Sequence, residues 1–76
     1  MTKEQFEEGL RVIKEHREGN QVWAIVRTEI RENESFHLIN EKDETCFTSY
    51  DKGIFVEDPV DLTAYIPYDE IIALKY

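Results

Sequence analysis

Hydrophobic residues in the first part of the chain recur with the period of a helix. Phe6, Leu10 and Ile13 are three or four positions apart, and most of the residues between them are charged or polar. Side chains at this spacing form one apolar stripe along a helix, and such a stripe needs a core to cover it. The pattern predicts a helix over residues 3–18 that lies on a core.

Both ends of this helix carry residues that commonly terminate helices. Thr2 and Gln5 match a capping box, in which each side chain accepts a hydrogen bond from the backbone N–H of the other residue. Gly19 stands where a left-handed residue often ends a helix, because glycine adopts a positive φ without a steric penalty. We therefore expect the helix to stop just before Gly19.

After the helix the hydrophobic pattern changes to a period of two, which is typical of a strand. Val22, Ala24 and Val26 alternate with Trp23 and Ile25, so the two sets point to opposite faces. Both faces are apolar, and the helix can cover only one of them. If the helix covers the face away from Trp23, that residue becomes an exposed candidate hot spot for a partner.

The rest of the chain is a series of short strands separated by turn residues. Strands are predicted at residues 21–30, 36–40, 45–50, 54–56, 62–66 and 71–76, with a short helix as the alternative for the last segment. Gly53 is placed for a positive φ in a tight turn, and Pro67 bends the path into one turn of 3-10 helix. The expected fold is α+β and mostly β. It is a single domain over residues 1–76, with an N-terminal helix followed by a five- to six-stranded antiparallel twisted sheet or small open barrel.

The size and composition of the chain limit how it can be stabilised. A chain of 76 residues holds one core, and its single cysteine, Cys46, rules out an internal disulfide. One cysteine and two histidines are too few for a structural zinc site, so no metal or other cofactor is expected. The polar start and the short apolar runs predict neither a signal peptide nor a membrane span. Together with a free thiol, this favours the cytoplasm.

The chain is strongly acidic, with a net charge of −8 that falls mainly on its second half. Such a surface repels phosphate backbones and anionic membranes, so nucleic acid and membrane are disfavoured as partners and a basic protein surface is compatible. The acidic residues that stand out are Glu57, Asp58, Asp61, Asp69 and Glu70. They form the candidate patch of an acidic inhibitor or adaptor. Such a protein would mimic the charge of nucleic acid and bind in a basic protein groove, as some small phage-type proteins do. The alternative is that the charge only keeps the protein soluble.

His37 and Cys46 come closest to a chemical pair. Alternation in the second strand places His37 and Ile39 on one face. If residues 41–44 form a four-residue hairpin loop, Ile39 faces Cys46 and His37 lies diagonally across from the thiol. A thiolate nucleophile also needs an orienting group and an oxyanion donor, and no such pattern stands near the pair. The chain is therefore expected not to be an enzyme.

Residues 65–74, with the sequence YIPYDEIIAL, resemble the end of small β-barrels of the Sm-like and SH3-like type. The order of one helix followed by short strands is also similar to the Sm-like fold. The resemblance implies assembly into rings or dimers through the last strand, and RNA binding. The loop that contacts RNA in that family is not recognisable, because residues 41–44 (EKDE) stand in its place. The resemblance therefore supports assembly more than RNA binding.

These observations lead to three ranked hypotheses of function. The first is a non-enzymatic interaction module that forms a homo-oligomer through a β-sheet edge, with Ile71, Ile72 and Leu74 of the last strand at the contact. The second is the acidic inhibitor or adaptor on a basic protein groove. The third is an Sm-like RNA-binding protein, and an enzyme comes last.

Overall fold

The computed structural model describes residues 1–27, 32–57 and 63–76. Within these ranges one helix is followed by strands and a single 3-10 turn. The elements are α1 (Lys3–His16), β1 (Val22–Val26), β2 (Glu34–Ile39), β3 (Phe47–Ser49), β4 (Gly53–Glu57), β5 (Thr63–Pro67), the 3-10 turn (Tyr68–Glu70) and β6 (Ile71–Lys75). The predicted class, α+β and mostly β with an N-terminal helix, is confirmed, and the last segment is a strand. The predicted extension of the first strand to Ile30 lies outside the described residues.

The start of α1 has the predicted capping box. The Gln5 N–H donates to the Thr2 hydroxyl at 3.1 Å, and the Thr2 N–H donates to the side-chain oxygen of Gln5 at 2.9 Å. These two bonds satisfy donors that the first turn of a helix leaves free. Among the described residues, no helix has the length and apolar character that a membrane span requires.

The other end of α1 differs from the prediction. No glycine in the described ranges has a positive φ, so a left-handed Gly19 is wrong. The helix ends at Arg17, which has an extended backbone and donates its N–H to the Ile13 carbonyl. The Arg17 guanidinium bonds to the Asp43 carboxylate at 2.7 Å and to the Asn20 carbonyl at 2.9 Å. These side-chain bonds hold Arg17 against Asn20 and Asp43 where the helix ends.

The strands form two three-stranded antiparallel sheets, with the orders β2-β1-β6 and β3-β4-β5. An isolated bridge between Ile39 and Thr45 joins β2 to β3, and the Cys46 N–H donates to the Leu38 carbonyl at 2.8 Å. Strands β1 to β5 therefore follow one another as a meander that passes from the first sheet to the second, and β6 pairs with the free side of β1. The described strands do not close into a barrel, and β6 and β5 lie at the two ends of the row of strands.

The core lies between the sheets, and α1 covers it. The Phe6 ring packs edge-on against Phe47, with 5.7 Å between ring centres, and against Tyr68 at 5.4 Å. The side chains with almost no exposed surface are Phe6, Phe36, Leu38, Ile54, Ile71, Val22, Val26 and Val56. Because α1 and the second sheet share one core with Val22 and Val26, that face of β1 is covered.

A β-bulge changes the alternation within β2. Val22 of β1 pairs with Ile39, whereas the next residue, Trp23, pairs with His37. Leu38 is therefore an extra residue in the ladder, and both Leu38 and Ile39 are buried. The expectation that Ile39 shares a face with His37 is wrong, because the inserted residue returns Ile39 to the core side.

Gly53 has a different role from the predicted one. It is the buried first residue of β4, opposite Pro67, and its φ is not positive. A Cβ at this position would lie 2.5 Å from the Ile66 carbonyl oxygen and 2.8 Å from the Tyr65 ring. Glycine is needed here because the neighbouring strand and the Tyr65 ring approach the backbone too closely for a side chain.

The turn between β2 and β3 lies at the predicted place. The side-chain oxygen of Asn40 accepts hydrogen bonds from the N–H groups of Lys42 and Glu44, each at 3.0 Å. Asp43 has a φ of 61°, a conformation that aspartate tolerates better than most residues. The loop includes Asn40, so Ile39 faces Thr45 and the predicted pairing of Ile39 with Cys46 is wrong by one residue.

Candidate interaction surface

The first sheet has an outer face that lies opposite the core. Residues that pair across neighbouring strands share a face. Trp23 pairs with His37 of β2 and with Lys75 of β6, and Ile25 pairs with Ser35 and Ala73. These six residues form what we call the outer face of the first sheet. The alternation in β1 identified Trp23 and Ile25 as residues of the second apolar face, and α1 lies on the other one.

Trp23 is at the centre of the outer face and is partly buried by its neighbours. Its ring lies 5.3 Å from the His37 ring, tilted by 32°. The Lys75 ammonium lies 5.4 Å from the centre of the Trp23 ring, within the range of a cation–π contact. The geometry therefore places a large aromatic side chain on the face that α1 does not cover, and its contact with a partner stays a prediction.

β6 is the outer strand of the first sheet. It pairs with β1 on one side, and none of the described strands pairs with it on the other. The pairing with β1 is regular from Trp23–Lys75 to Ile25–Ala73 and then shifts, because Val26 pairs with Ile71. Ile72 is consequently an extra residue in the ladder.

The three residues predicted at this edge lie in different environments. Ile71 is fully buried in the core. Leu74 is partly buried beside α1, and its Cδ1 atom lies 3.1 Å from where a Cβ on Gly9 would be. Ile72 is 46 % exposed. The bulge explains the difference, since it sets Ile71 and Leu74 toward the core with two residues between them. Of the three, Ile72 has the largest exposed surface to offer to a partner.

A shallow depression lies beside Trp23, where β1 begins and β6 ends. Its volume is about 290 Å³, and the residues that line it are Gly19, Asn20, Gln21, Trp23, Glu41 and Tyr76. The Asn20 amide donates to the Glu41 carbonyl at 3.3 Å and so holds the β2–β3 turn against the segment after α1. Tyr76 is 56 % exposed. The sequence reasoning did not find Glu41 or Tyr76 as site residues, because only the folded chain brings them beside Trp23.

The acidic residues of the predicted patch do not form one compact group among the described residues. Glu57 is opposite Thr63 at the start of β5, whereas Asp69 and Glu70 follow the end of β5 in the 3-10 turn. A five-residue strand such as β5 separates its ends by roughly 13 Å. Asp58 and Asp61 lie outside the described residues.

The groups with catalytic potential are spread over different surroundings. Cys46 is buried, and its thiol lies 3.5 Å from the Glu44 carbonyl oxygen as a weak donor. His37 lies on the outer face against Trp23. In the described part of the chain, no three His, Cys, Asp or Glu side chains are placed to hold a metal ion.

Comparison with known proteins gives no match to a family model, a curated protein or a solved structure. The function of this chain is therefore inferred from its own geometry. Its outer face and the edge of β6 meet at Lys75, and the depression beside Trp23 lies at the same end of the sheet.

Proposed function

We propose that the chain is a non-enzymatic interaction module that self-associates by pairing β6 with the β6 strand of a second copy. The observation that carries the proposal is the position of β6 at the edge of the first sheet. Ile72 of this strand is 46 % exposed. An edge strand presents backbone donors and acceptors that a second strand can satisfy. Antiparallel pairing around a two-fold axis would join two three-stranded sheets into one, and the product would be a dimer.

The surroundings of the edge support this proposal. A lysine on an edge strand usually opposes pairing, because a second copy would have to bury its charge. Here the Lys75 ammonium lies over the Trp23 ring of its own chain, on the outer face and away from the plane of the sheet. The exposed Ile72 side chain would lose contact with water on pairing. A domain of 76 residues buries little surface by itself, so such a contact would add to its stability.

The alternatives receive less support from the geometry. The described acidic residues Glu57 and Asp69 are separated by the length of β5, which does not favour one acidic patch for a basic groove. RNA binding is opposed by the net charge of −8. An Sm-like relationship stays a proposal that rests on the order of elements, from the N-terminal helix to the 3-10 turn before the last strand.

The test is the oligomeric state of the wild type and of Ile72→Lys, measured by sedimentation velocity from low to high micromolar concentration. We expect the wild type to form dimers as the concentration rises and Ile72→Lys to remain monomeric, because the new charge would be buried in the paired edge. Val12→Lys is the matched control, since Val12 is also an exposed aliphatic residue (41 %) but lies on α1. A strictly monomeric wild type, or an Ile72→Lys variant that dimerises like the wild type, would overturn the proposal.

A further inference from the structure

We propose that the depression beside Trp23 binds the ammonium group of a lysine side chain presented by a partner protein. The residues that would make the contact are Trp23, Tyr76 and Glu41, with Asn20 and Gln21 on the rim. This inference goes beyond self-association, because the depression is separate from Ile72 and needs a partner of different chemistry.

The aromatic part of the site is suited to a cation. The face of an indole ring attracts an ammonium group through the ring quadrupole, and tryptophan does so best among the aromatic side chains. The chain itself provides an example, since the Lys75 ammonium lies 5.4 Å from the centre of the Trp23 ring. Tyr76 adds a second, largely exposed ring to the lining. The methylene groups of an incoming lysine can therefore pack on apolar surface while its ammonium stays near the rings.

The charge of the site has the matching sign. Among the described residues that line the depression, Glu41 is the one with a formal charge. A basic group already lies beside the site, since the Lys75 ammonium is 5.4 Å from the centre of the Trp23 ring, and an incoming lysine has to take its place over the ring. Arg17, close to the Asn20 segment, is bonded to the Asp43 carboxylate at 2.7 Å and to the Asn20 carbonyl at 2.9 Å, and its charge is compensated within the fold. The net charge of −8 also attracts a basic partner over a longer distance.

The size of the site selects the kind of ligand. A volume of about 290 Å³ is at the lower limit of small-molecule pockets, and the depression is open to solvent on one side. It can hold the end of one extended side chain but does not enclose a cofactor. An anionic group would be repelled by Glu41, and a neutral aliphatic side chain would make no ionic contact with that carboxylate. Lysine fits both requirements.

The experiment uses the fluorescence of Trp23, which is the only tryptophan of the chain and lines the site. The full-length protein is titrated with a short capped peptide whose single charged residue is a central lysine, and with the same peptide containing norleucine. We expect a saturable change with the lysine peptide, with a Kd on the order of 1 mM for one cation–π contact and one exposed ion pair. The norleucine peptide should give no saturable change.

Variants of the lining identify the site. Glu41→Gln and Tyr76→Ala should each weaken binding of the lysine peptide at least about threefold, since each removes one favourable contact. Glu44→Gln and Tyr50→Ala are matched controls, because both residues are exposed and neither lines the depression. They should bind like the wild type. Far-UV circular dichroism checks that every variant keeps the fold.

The outcomes separate this proposal from the self-association of β6. Equal responses to the lysine and norleucine peptides, or equal weakening by the lining and control variants, would overturn the lysine site. The titration is repeated with Ile72→Lys, which changes the edge and leaves the depression intact. Binding that persists in this variant supports a lysine site independent of the β6 edge, and loss of binding there would contradict the independence that we infer.

Discussion

Gly53 lies beneath the ring of Tyr65, and at that position the molecule has no space for a side chain. The constraint comes from packing between β4 and β5, since the backbone of Gly53 does not have a positive φ. The Tyr65 side chain is 51 % exposed, so the ring covers the glycine from the solvent side. A glycine in this environment is a requirement of the strand pair and not of the turn before it.

We expect Gly53→Ala to lower the free energy of unfolding by about 2 kcal/mol, the usual cost of adding a methyl group where the backbone cannot move away. Urea unfolding followed by circular dichroism measures the change. Gly19→Ala is the control, because nothing lies within 4 Å of a Cβ at that position. It should be neutral or slightly stabilising. A Gly53→Ala variant as stable as the wild type would show that β5 moves to make room.

Single inserted residues account for the site positions that alternation misplaced. A period of two placed Val22, Ala24 and Val26 on one face and Trp23 on the opposite face, and in the structure the first three are buried. Ile71 and Ile72 have similar side chains and adjacent positions, yet one is fully buried and the other largely exposed. The bulge in β6 that separates them cannot be recognised from the types of residue present, because it depends on how β6 pairs with β1.

At the scale of elements, the end of α1 is tied to the turn between β2 and β3. The Arg17 side chain, only 19 % exposed, bonds to Asp43 at 2.7 Å, and the Asn20 amide bonds to the Glu41 carbonyl. By contrast, the ion pair between Arg11 and Glu15 lies on the exposed surface of α1 at 3.3 Å. The Arg17–Asp43 pair connects the end of α1 to the β2–β3 turn, whereas the Arg11–Glu15 pair lies within α1.

A double-mutant cycle should reveal this difference. We expect a coupling free energy of about 1 kcal/mol between Arg17 and Asp43 and about 0.3 kcal/mol between Arg11 and Glu15, because the Arg17 side chain is largely shielded from water and is held by a second bond to Asn20. The variants are Arg17→Met and Asp43→Asn, since asparagine also tolerates the φ of 61° at that position. Arg11→Met and Glu15→Gln form the control cycle. Equal couplings in urea unfolding would contradict a connecting role for Arg17.

The elements themselves were predictable where local chemistry defines them. The capping box of Thr2 and Gln5 marks the start of α1, and Pro67 precedes the 3-10 turn. The way in which α1 ends was not predictable, because Arg17 at its C-terminal end forms an ion pair with Asp43, which is distant in the sequence. The division into two sheets was not predictable either, since one bridge and one hydrogen bond connect β2 to β3.

At the scale of the whole molecule, the net charge of −8 acts against the proposed dimer, because two like-charged copies repel each other. We therefore expect the dimer to become tighter as NaCl is raised from about 0.1 M to about 1 M, where the screening length falls from about 10 Å to about 3 Å. Sedimentation equilibrium measures the dissociation constant at both salt concentrations. A dimer that weakens with salt would indicate ionic contacts between copies in place of β6 pairing. Binding of the lysine peptide should weaken over the same range, so the two proposals differ in the sign of the salt effect.

The candidate lysine site could be predicted from the sequence only at its centre. Alternation places Trp23 on the second apolar face of β1, and the position of α1 decides whether that face stays uncovered. Glu41 and Tyr76 lie beside Trp23 because β2 and β6 pair with the two sides of β1, which places the β2–β3 turn and the end of β6 at the same end of the sheet. This proximity depends on the complete topology, so the spacing of residues along the chain does not indicate it.

The contacts of Phe6 have a consequence for how the protein is made. Phe6 is synthesised before the rings that surround it, which belong to Phe47 and Tyr68, and β1 lacks its neighbour β6 until that strand has been made. The helix can form early, yet the surface on which it docks is complete only after β6 has been synthesised. The nascent chain therefore carries an incompletely covered apolar stripe up to that point, and the native state arises in one late cooperative step.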